Sequence, residues 1–226
     1  MTTIAIITAM DSEFNAILSL YDFKEKDGVM TTNIYNHEIN LIKSGIGKVN
    51  AAIATSKAIN NGVDIVITTG LAGGIDDSLN QGDIVLANKV CYHDVWCGKP
   101  NQKGQVQDFP LYYTLDEKLI HAFQDIASKQ GFKWGLTVTG DQFLTDVNRL
   151  KEIKSDFSDA LAVDMESSSV AQTCYVNKKS FISLRIISDV VGKPNQVEQY
   201  NNFWQNMPKI ASSMVDDILK AIPENY

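Results

Sequence analysis

The sequence predicts a wound α/β fold, a largely parallel sheet packed between helical layers, and three observations carry that reading. Short apolar, β-rich runs alternate with amphipathic or alanine-rich stretches of helical length. Several of those runs end at glycine or a carboxylate, where α/β sheets place their ligands. The 226 residues, 44% hydrophobic and 21% charged, suffice for a sizeable core without disulfide or metal staples. No internal repeat, low-complexity tract or linker divides the chain, so one domain is expected over residues 1–226.

Taken in order, residues 3–8 read as a strand and residues 11–21 as a helix capped by Asp11 or Ser12. Residues 30–44 hold two further strand-like runs, and Gly45-Ile46-Gly47 opens an alanine-rich helix over residues 48–60. A buried strand at 64–69 ends in Gly70-Leu71-Ala72-Gly73-Gly74, and residues 84–92 form another strand. The stretch 93–114 is polar and punctuated by Gly98, Pro100, Gly104 and Pro110, which marks a loop. Beyond it come a helix (116–129), a strand (135–139), a helix near 146–154 and a helix over 165–175. A strongly apolar strand over 180–188 ends at Asp189, and a last helix spans 198–222.

Charge and cysteine content exclude several classes. Lys+Arg number 20 against 27 Asp+Glu, and a net charge of -7 opposes binding to nucleic acid or to anionic membranes. Cys91, Cys97 and Cys174 are too few for a disulfide framework. The N-terminus lacks the basic region and long apolar core of a signal peptide, and no apolar run approaches the ~20 residues of a membrane span. A reduced, soluble, cytoplasmic protein is expected, with neither nucleic acid nor membrane as partner.

Ser44-Gly45-Ile46-Gly47-Lys48-Val49-Asn50 begins like a dinucleotide fingerprint but has Asn50 in place of the third glycine, and no P-loop sequence occurs. Gly70 to Gly74 read either as a ligand-facing turn or as a tight turn without a ligand. Cys91, His93 and Cys97, with Asp94 nearby, lack the second ligand pair of a structural zinc site. Buried thiols beside a hydrogen-bonded histidine are expected there, with no metal. Phe143 and Leu144 read as core residues beside a strand end, whereas Trp96, Tyr112, Tyr113 and Tyr200 fall where aromatics form lids or interfaces.

Three carboxylates carry the chemistry. Glu13 lies in the first turn of the first helix, Glu166 at a strand-to-helix junction and Asp189 at the end of the apolar strand. Each alone is an ordinary cap or surface charge. At the strand ends of one sheet they converge on one crevice, where different surroundings divide acid from base roles.

The motifs Ala9-Met10-Asp11-Ser12-Glu13, Ser44 to Ala52, Gly70-x-Ala72-Gly73-Gly74, Gly82-Asp83-Ile84-Val85, Tyr92-His93-Asp94, Gly140-Asp141-x-Phe143, Met165-Glu166 and Arg185-x-x-Ser188-Asp189 follow in order across nearly the whole chain. Together they resemble the 5'-methylthioadenosine/S-adenosylhomocysteine nucleosidases of the purine nucleoside phosphorylase superfamily. The resemblance implies a three-layer α/β/α fold with a central mixed, mostly parallel sheet. It also implies a homodimer with pockets near its interface and hydrolysis of an adenine thionucleoside without a cofactor. By matching position, Glu13 would activate water and Asp189 would protonate adenine N7. Glu166 would bind the ribose hydroxyls and Met165 would pack on the sugar. Phe143 would stack on adenine, the Leu144 backbone would meet its edge, and Ser188 would support Asp189. Met10, Ile46 and Tyr200 would line the 5'-alkylthio pocket. The sequence departs from the family at Leu71 (often serine), at Asp164 (usually glutamate) and in the loop from Val95 to Asn101.

Other readings remain open. A phosphorylase needs cations for phosphate, yet Arg149 and Arg185 are the two arginines of the chain. A futalosine-type hydrolase also tolerates an apolar residue near Leu71. A nicotinamide-linked oxidoreductase would rest on Gly45 and Gly47 alone, and a non-catalytic nucleoside binder would leave Glu13 and Asp189 incidental. The aromatic loop bearing Trp96, Phe109, Tyr112 and Tyr113 adds to the expectation of a homodimer.

Overall fold

The computed structural model describes residues 1–203, 207–224 and 226. It opens with β1 (Thr2–Thr8), α1 (Asp11–Leu18), β2 (Lys24–Lys26), β3 (Val29–Ile34), β4 (His37–Lys43) and α2 (Lys48–Asn60). The middle of the chain holds β5 (Ile65–Gly74), β6 (Ile84–Tyr92), β7 (Tyr113–Thr114), α3 (Glu117–Gln130) and β8 (Lys133–Thr139). It ends with α4 (Val147–Asp156), β9 (Ala160–Asp164), α5 (Ser167–Val176), β10 (Ser180–Val190), α6 (Gln196–Phe203) and α7 (Met207–Ala221).

The sheet is mixed. β1 lies between β4 and β5, parallel to both. Its side chains alternate between two apolar clusters, Ile4 and Ile6 in one and Ala5 and Ile7 in the other, as the two-residue period of a strand requires. Ile17 of α1, Phe123 of α3 and Ile218 of α7 fill the first cluster, and Ala54 of α2 and Val170 of α5 fill the second. The two helix groups therefore cover opposite faces of β1.

Beyond β5 the sheet turns back on itself. β10 pairs with β5 in parallel and with β6 antiparallel. β6 pairs with β8, β8 with β9, and β9 returns to β5, so these five strands form a closed circuit. Alternating strands and helices do not encode such a closure; it depends on the short antiparallel pairing of Gly73 and Gly74 with Val163 and Ala162.

Several sequence expectations change in detail. The glycine-rich segment from Gly70 to Gly74 is not a turn: it is the second half of β5, pairing with β10 on one side, while on the other Gly73 and Gly74 meet β9 and the Leu71 amide meets Glu13. Two of its glycines answer to crowding. A Cβ at Gly73 would lie 3.0 Å from Val191 Cγ2, and one at Gly70 would lie 2.7 Å from Glu13 Cδ. α1 stops at Leu18 because the Ser19 hydroxyl takes the Ala16 carbonyl and the next turn tightens from Leu20 N to Ile17 O. Its cap is Met10 and neither Asp11 nor Ser12. The last helix is described as two, α6 and α7; residues 204–206, which the sequence reading includes in it, lie outside the described residues.

The 93–114 loop also differs from expectation. Tyr113 is buried, and both Tyr113 and Phe109 pack their rings against Tyr175 of α5, so most of the aromatic loop covers its own chain while Trp96 stays exposed. Cys91 is buried but Cys97 is exposed, and neither ring nitrogen of the buried His93 has a hydrogen-bond partner, so the expected hydrogen-bonded histidine among buried thiols is not what forms. No described helix is long and apolar enough to cross a membrane.

Phe123 tests this arrangement, because it is fully buried where α3 meets α7 and the sheet. Phe123→Ala is expected to lower stability by about 3–5 kcal/mol in urea denaturation. A loss under about 1 kcal/mol would mean that α3 does not close this face of the core.

Candidate active site

The ends of β1, β5, β9 and β10, with the loops after β4 and β8, enclose a cavity of about 380 Å³. All ten residues singled out from the sequence line it: Met10, Glu13, Ile46, Phe143, Leu144, Met165, Glu166, Ser188, Asp189 and Tyr200. Its size is that of a small-molecule site.

Glu13 is buried at the first turn of α1. Its Oε2 accepts from the backbone N–H groups of Ala9 (2.9 Å) and Met10 (3.0 Å), and Oε1 accepts from Leu71 N–H at 3.0 Å. The Leu71 contribution is from the main chain, and its side chain adds no polar group to the cavity wall. Burial nevertheless pushes the Glu13 carboxyl above its ordinary value, outweighing those amides and the nearby Arg185 charge. The close approach needs Gly70, since any side chain there would collide with the carboxylate.

Glu166 sits at the start of α5, where its Oε1 accepts from Gly47 N–H at 2.9 Å. The glycine loop that resembled a dinucleotide fingerprint therefore holds a side-chain carboxylate. Gly47 takes φ +95°, and Asn50 closes the loop onto the Ile46 carbonyl at 2.7 Å. Behind Glu166, Asp164 accepts from Thr139 Oγ1 (2.6 Å), from the Ser167 hydroxyl and from Arg185 Nε (2.8 Å). Arg185 is itself 1% exposed; its remaining contacts are Ser167, Thr68 and, at 3.8 Å, Glu166. Burial raises the Glu166 carboxyl to about 7, against the pull of Arg185 and with a further push from Asp164. Burial also works against the Arg185 cation, but Asp164, Glu166 and Glu13 outweigh it and hold its pKa above the usual value.

Asp189 is placed by a bulge. In the β10–β5 ladder Ile187 faces Ala72 and Asp189 faces Gly73, so the intervening Ser188 has no partner. Such a bulge re-aims the next side chain. Ser188 Oγ donates to Asp189 Oδ1 at 2.6 Å, and Gln196 Nε2 donates to Oδ2 at 2.8 Å. Burial raises the Asp189 carboxyl, and these two donors oppose it.

Phe143 is not a core residue: it is 51% exposed at the cavity rim, its ring 5.1 Å from that of Tyr200. Leu144, by contrast, is buried. The Tyr200 hydroxyl lies 3.9 Å from Met10 Sδ, which brings α6 over the N-terminal end of α1. Sequence reasoning missed three things here: the Leu71 amide, the Arg185–Asp164 pair and Gln196. Only the pair left a trace, a lone arginine within an apolar strand.

Comparison with known proteins agrees with this geometry. Residues 3–220 match the phosphorylase superfamily. The chain is 36% identical over 229 residues to a 5'-methylthioadenosine/S-adenosylhomocysteine nucleosidase of Staphylococcus carnosus, covering 97% of this chain and 100% of that one. It is similar in structure to an S-adenosylhomocysteine nucleosidase of Streptococcus pyogenes in complex with 5-methylthiotubericidin (TM-score 0.91, 29% identity, 98% of each chain). It is also similar to a futalosine hydrolase of Helicobacter pylori (TM-score 0.87, 25% identity, 98% of each chain).

The raised carboxyls make stability depend on pH with a definite sign. A group whose folded pKa exceeds its unfolded value stabilises fully below the unfolded value and loses that contribution as pH rises through the folded one. For Glu166 the window runs from 4.5 to about 7. Glu166→Gln, which mimics the protonated form, is expected to gain in melting temperature relative to wild type as pH rises across that window. His93, whose pKa burial lowers, acts in the opposite sense but is common to both proteins and cancels in the difference. A difference that stays flat or shrinks would show that Glu166 is not held protonated by the fold.

Proposed function

This chain belongs to the phosphorylase superfamily and, within it, to the 5'-methylthioadenosine/S-adenosylhomocysteine nucleosidases, and from that premise we propose that its cavity hydrolyses the N-glycosidic bond of 5'-methylthioadenosine or S-adenosylhomocysteine. The observation that carries the proposal is the burial of Glu13, Glu166 and Asp189 around one cavity of nucleoside size.

The chemistry follows from the bond. Its rupture passes through a ribosyl cation, which nearby carboxylates stabilise. Adenine is a poor leaving anion, so Asp189, whose carboxyl burial shifts toward the protonated form, gives its proton to N7 as the C1'–N9 pair withdraws into the base. Glu13 takes a proton from the attacking water as its oxygen bonds to C1'. Neutral adenine and the 5-thioribose result. Glu166 holds the ribose hydroxyls with Met165 against the sugar; Phe143 and the Leu144 backbone take the base, and Ser188 supports Asp189. Met10, Ile46 and Tyr200 receive the 5'-substituent. No cofactor or metal enters this reaction. We read the chain as one cytoplasmic domain of three α/β/α layers serving methionine salvage.

Water is preferred over phosphate because the nearby cations are already committed. Arg185 serves Asp164, Arg149 serves Glu152 and the His93 carbonyl, and Lys48 lies 2.8 Å from Asp94. A phosphate dianion would meet three carboxylates instead. A futalosine-type hydrolase is the second reading, supported by the structural likeness reported above. A nucleoside panel scored for free base separates the two.

Glu13→Gln and Asp189→Asn, both folded, are each expected to lose ~10²-fold or more in turnover of 5'-methylthioadenosine in phosphate-free buffer. Near-wild-type rates in either would remove that residue from the mechanism. A requirement for phosphate, with the sugar 1-phosphate as product, would make the enzyme a phosphorylase.

A homodimer is proposed as well. Beyond the family, its support is the apolar surface left on α2 and α5, where Val49, Ile53, Tyr175 and Val176 are at least half exposed. Light scattering at micromolar concentration is expected to give twice the chain mass; an active monomer would refute it.

A further inference from the structure

We propose that Gln196 is a positioning residue for this reaction: its carboxamide holds the acid Asp189 and the base-contacting backbone of Leu144 in one fixed relation, so that proton donation and base recognition are set together. The proposal rests on the nucleosidase reading of the site.

Gln196 is 6% exposed and stands behind the cavity wall. Its Nε2 donates to the Leu144 carbonyl at 2.8 Å and to Asp189 Oδ2 at 2.8 Å, while its Oε1 accepts from Gly192 N–H at 3.2 Å. Both amide hydrogens and the amide oxygen are thereby engaged. One planar group spans two parts of the site that come from distant segments of the chain. Without it, a buried carbonyl and a carboxylate oxygen each lose a donor.

The surroundings make this bridge part of a larger joint. Gln199, on the same helix, accepts from Val190 N–H at 3.3 Å, and Gln81 Nε2 donates to the carbonyls of Ser188 and Gln199 at 2.8 Å each. Three glutamines thus fasten the first turn of α6 to the end of β10. Tyr200 follows Gln196 by four residues, so one helix face carries both the cavity wall and the bridge. The amide nitrogen can only donate, so Asp189 Oδ2 is kept as an acceptor. That donor to Oδ2 biases the transferable proton toward Oδ1, beside the Ser188 hydroxyl.

The test is the pH dependence of kcat for adenine release from 5'-methylthioadenosine by wild type, Gln196→Ala and Gln196→Glu. The basic limb reports loss of the Asp189 proton. Removing a donor to the carboxylate favours the protonated acid, so the limb of Gln196→Ala is expected to move up by about one pH unit. Its kcat at neutral pH is expected to fall about tenfold, more than KM rises, because the donor is misplaced. Gln196→Glu keeps the shape but adds a negative charge, and its limb is expected to move further up. The other titratable groups facing this corner, Tyr200 and Glu13, are unchanged in all three proteins. Folded variants with the wild-type limb and kcat within twofold, even if their melting temperatures drop, would reduce Gln196 to a structural staple and overturn the proposal. Wild type that releases no adenine would remove the nucleosidase reading, and this proposal with it.

Discussion

Arg185 lies with its guanidinium wedged between Asp164, Ser167 and Thr68, 1% exposed, at the level of the sheet where the carboxylates gather. A cation taken that far from water survives only if anions and hydrogen-bond acceptors surround it, and they do. The dependence also runs the other way. Asp164 and Glu166 share its charge at 2.8 and 3.8 Å, and its field reaches Glu13. Removing it would leave carboxylates facing one another in a poorly solvated space without the cation that offsets their repulsion. The site can afford an excess of negative charge on its open side because one positive charge is sealed beneath it.

Above that charge balance, main-chain amides do most of the holding. Ala9, Met10 and Leu71 hold Glu13, and Gly47 holds Glu166. A backbone donor is fixed by the fold and loses no side-chain entropy on making its bond. The carboxylates therefore sit where the strands put them, and the strands are locked by the closed circuit from β5 through β10, β6, β8 and β9. The Ser188 bulge is the local irregularity that this regular frame needs in order to aim Asp189.

What could be read from sequence and what could not divide along the same physical line. Residue type and local pattern announced the elements: the strand at residues 84–92, the helix over 48–60 and helices beginning near 116 and 146 all follow from alternation, alanine content and helical periodicity, and in the structure Asp116 and Asp146 cap the last two. Local pattern singled out the three carboxylates at strand ends, and the remaining seven of the ten cavity residues came from the family resemblance that the ordered motifs carry. Pairing over long distances was not legible. Nothing local says that Gly73 will meet Val163, or that the glycine-rich stretch will continue a strand, because the ladder partner lies some ninety residues away. Gln196 was invisible for the same reason. A glutamine at the start of a helix looks like solvent-facing polarity until the Leu144 carbonyl and Asp189 arrive from elsewhere.

The partners of the two proposed catalytic carboxyls differ in kind, and that difference supports the division of roles. Burial raises both groups, so burial alone does not tell acid from base. Glu13 is contacted by three backbone N–H groups, none of which can accept a proton in return, so each contact weakens when the carboxyl is protonated. These fixed donors pull toward the anion, the form a base must start from, while burial pushes the other way and outweighs them. Asp189 has one fixed donor, the Gln196 amide, and one partner that can reverse. The Ser188 hydroxyl donates to the carboxylate, yet it also lies 3.3 Å from the Ala72 carbonyl. It can turn its hydrogen there and accept from Asp189 Oδ1–H. The protonated acid is therefore satisfied at Oδ1 without moving a heavy atom. Against the common push of burial, the nearest neighbours of the two carboxyls thus differ in kind: those of Glu13 pull toward the anion, and one of those of Asp189 can accept the proton.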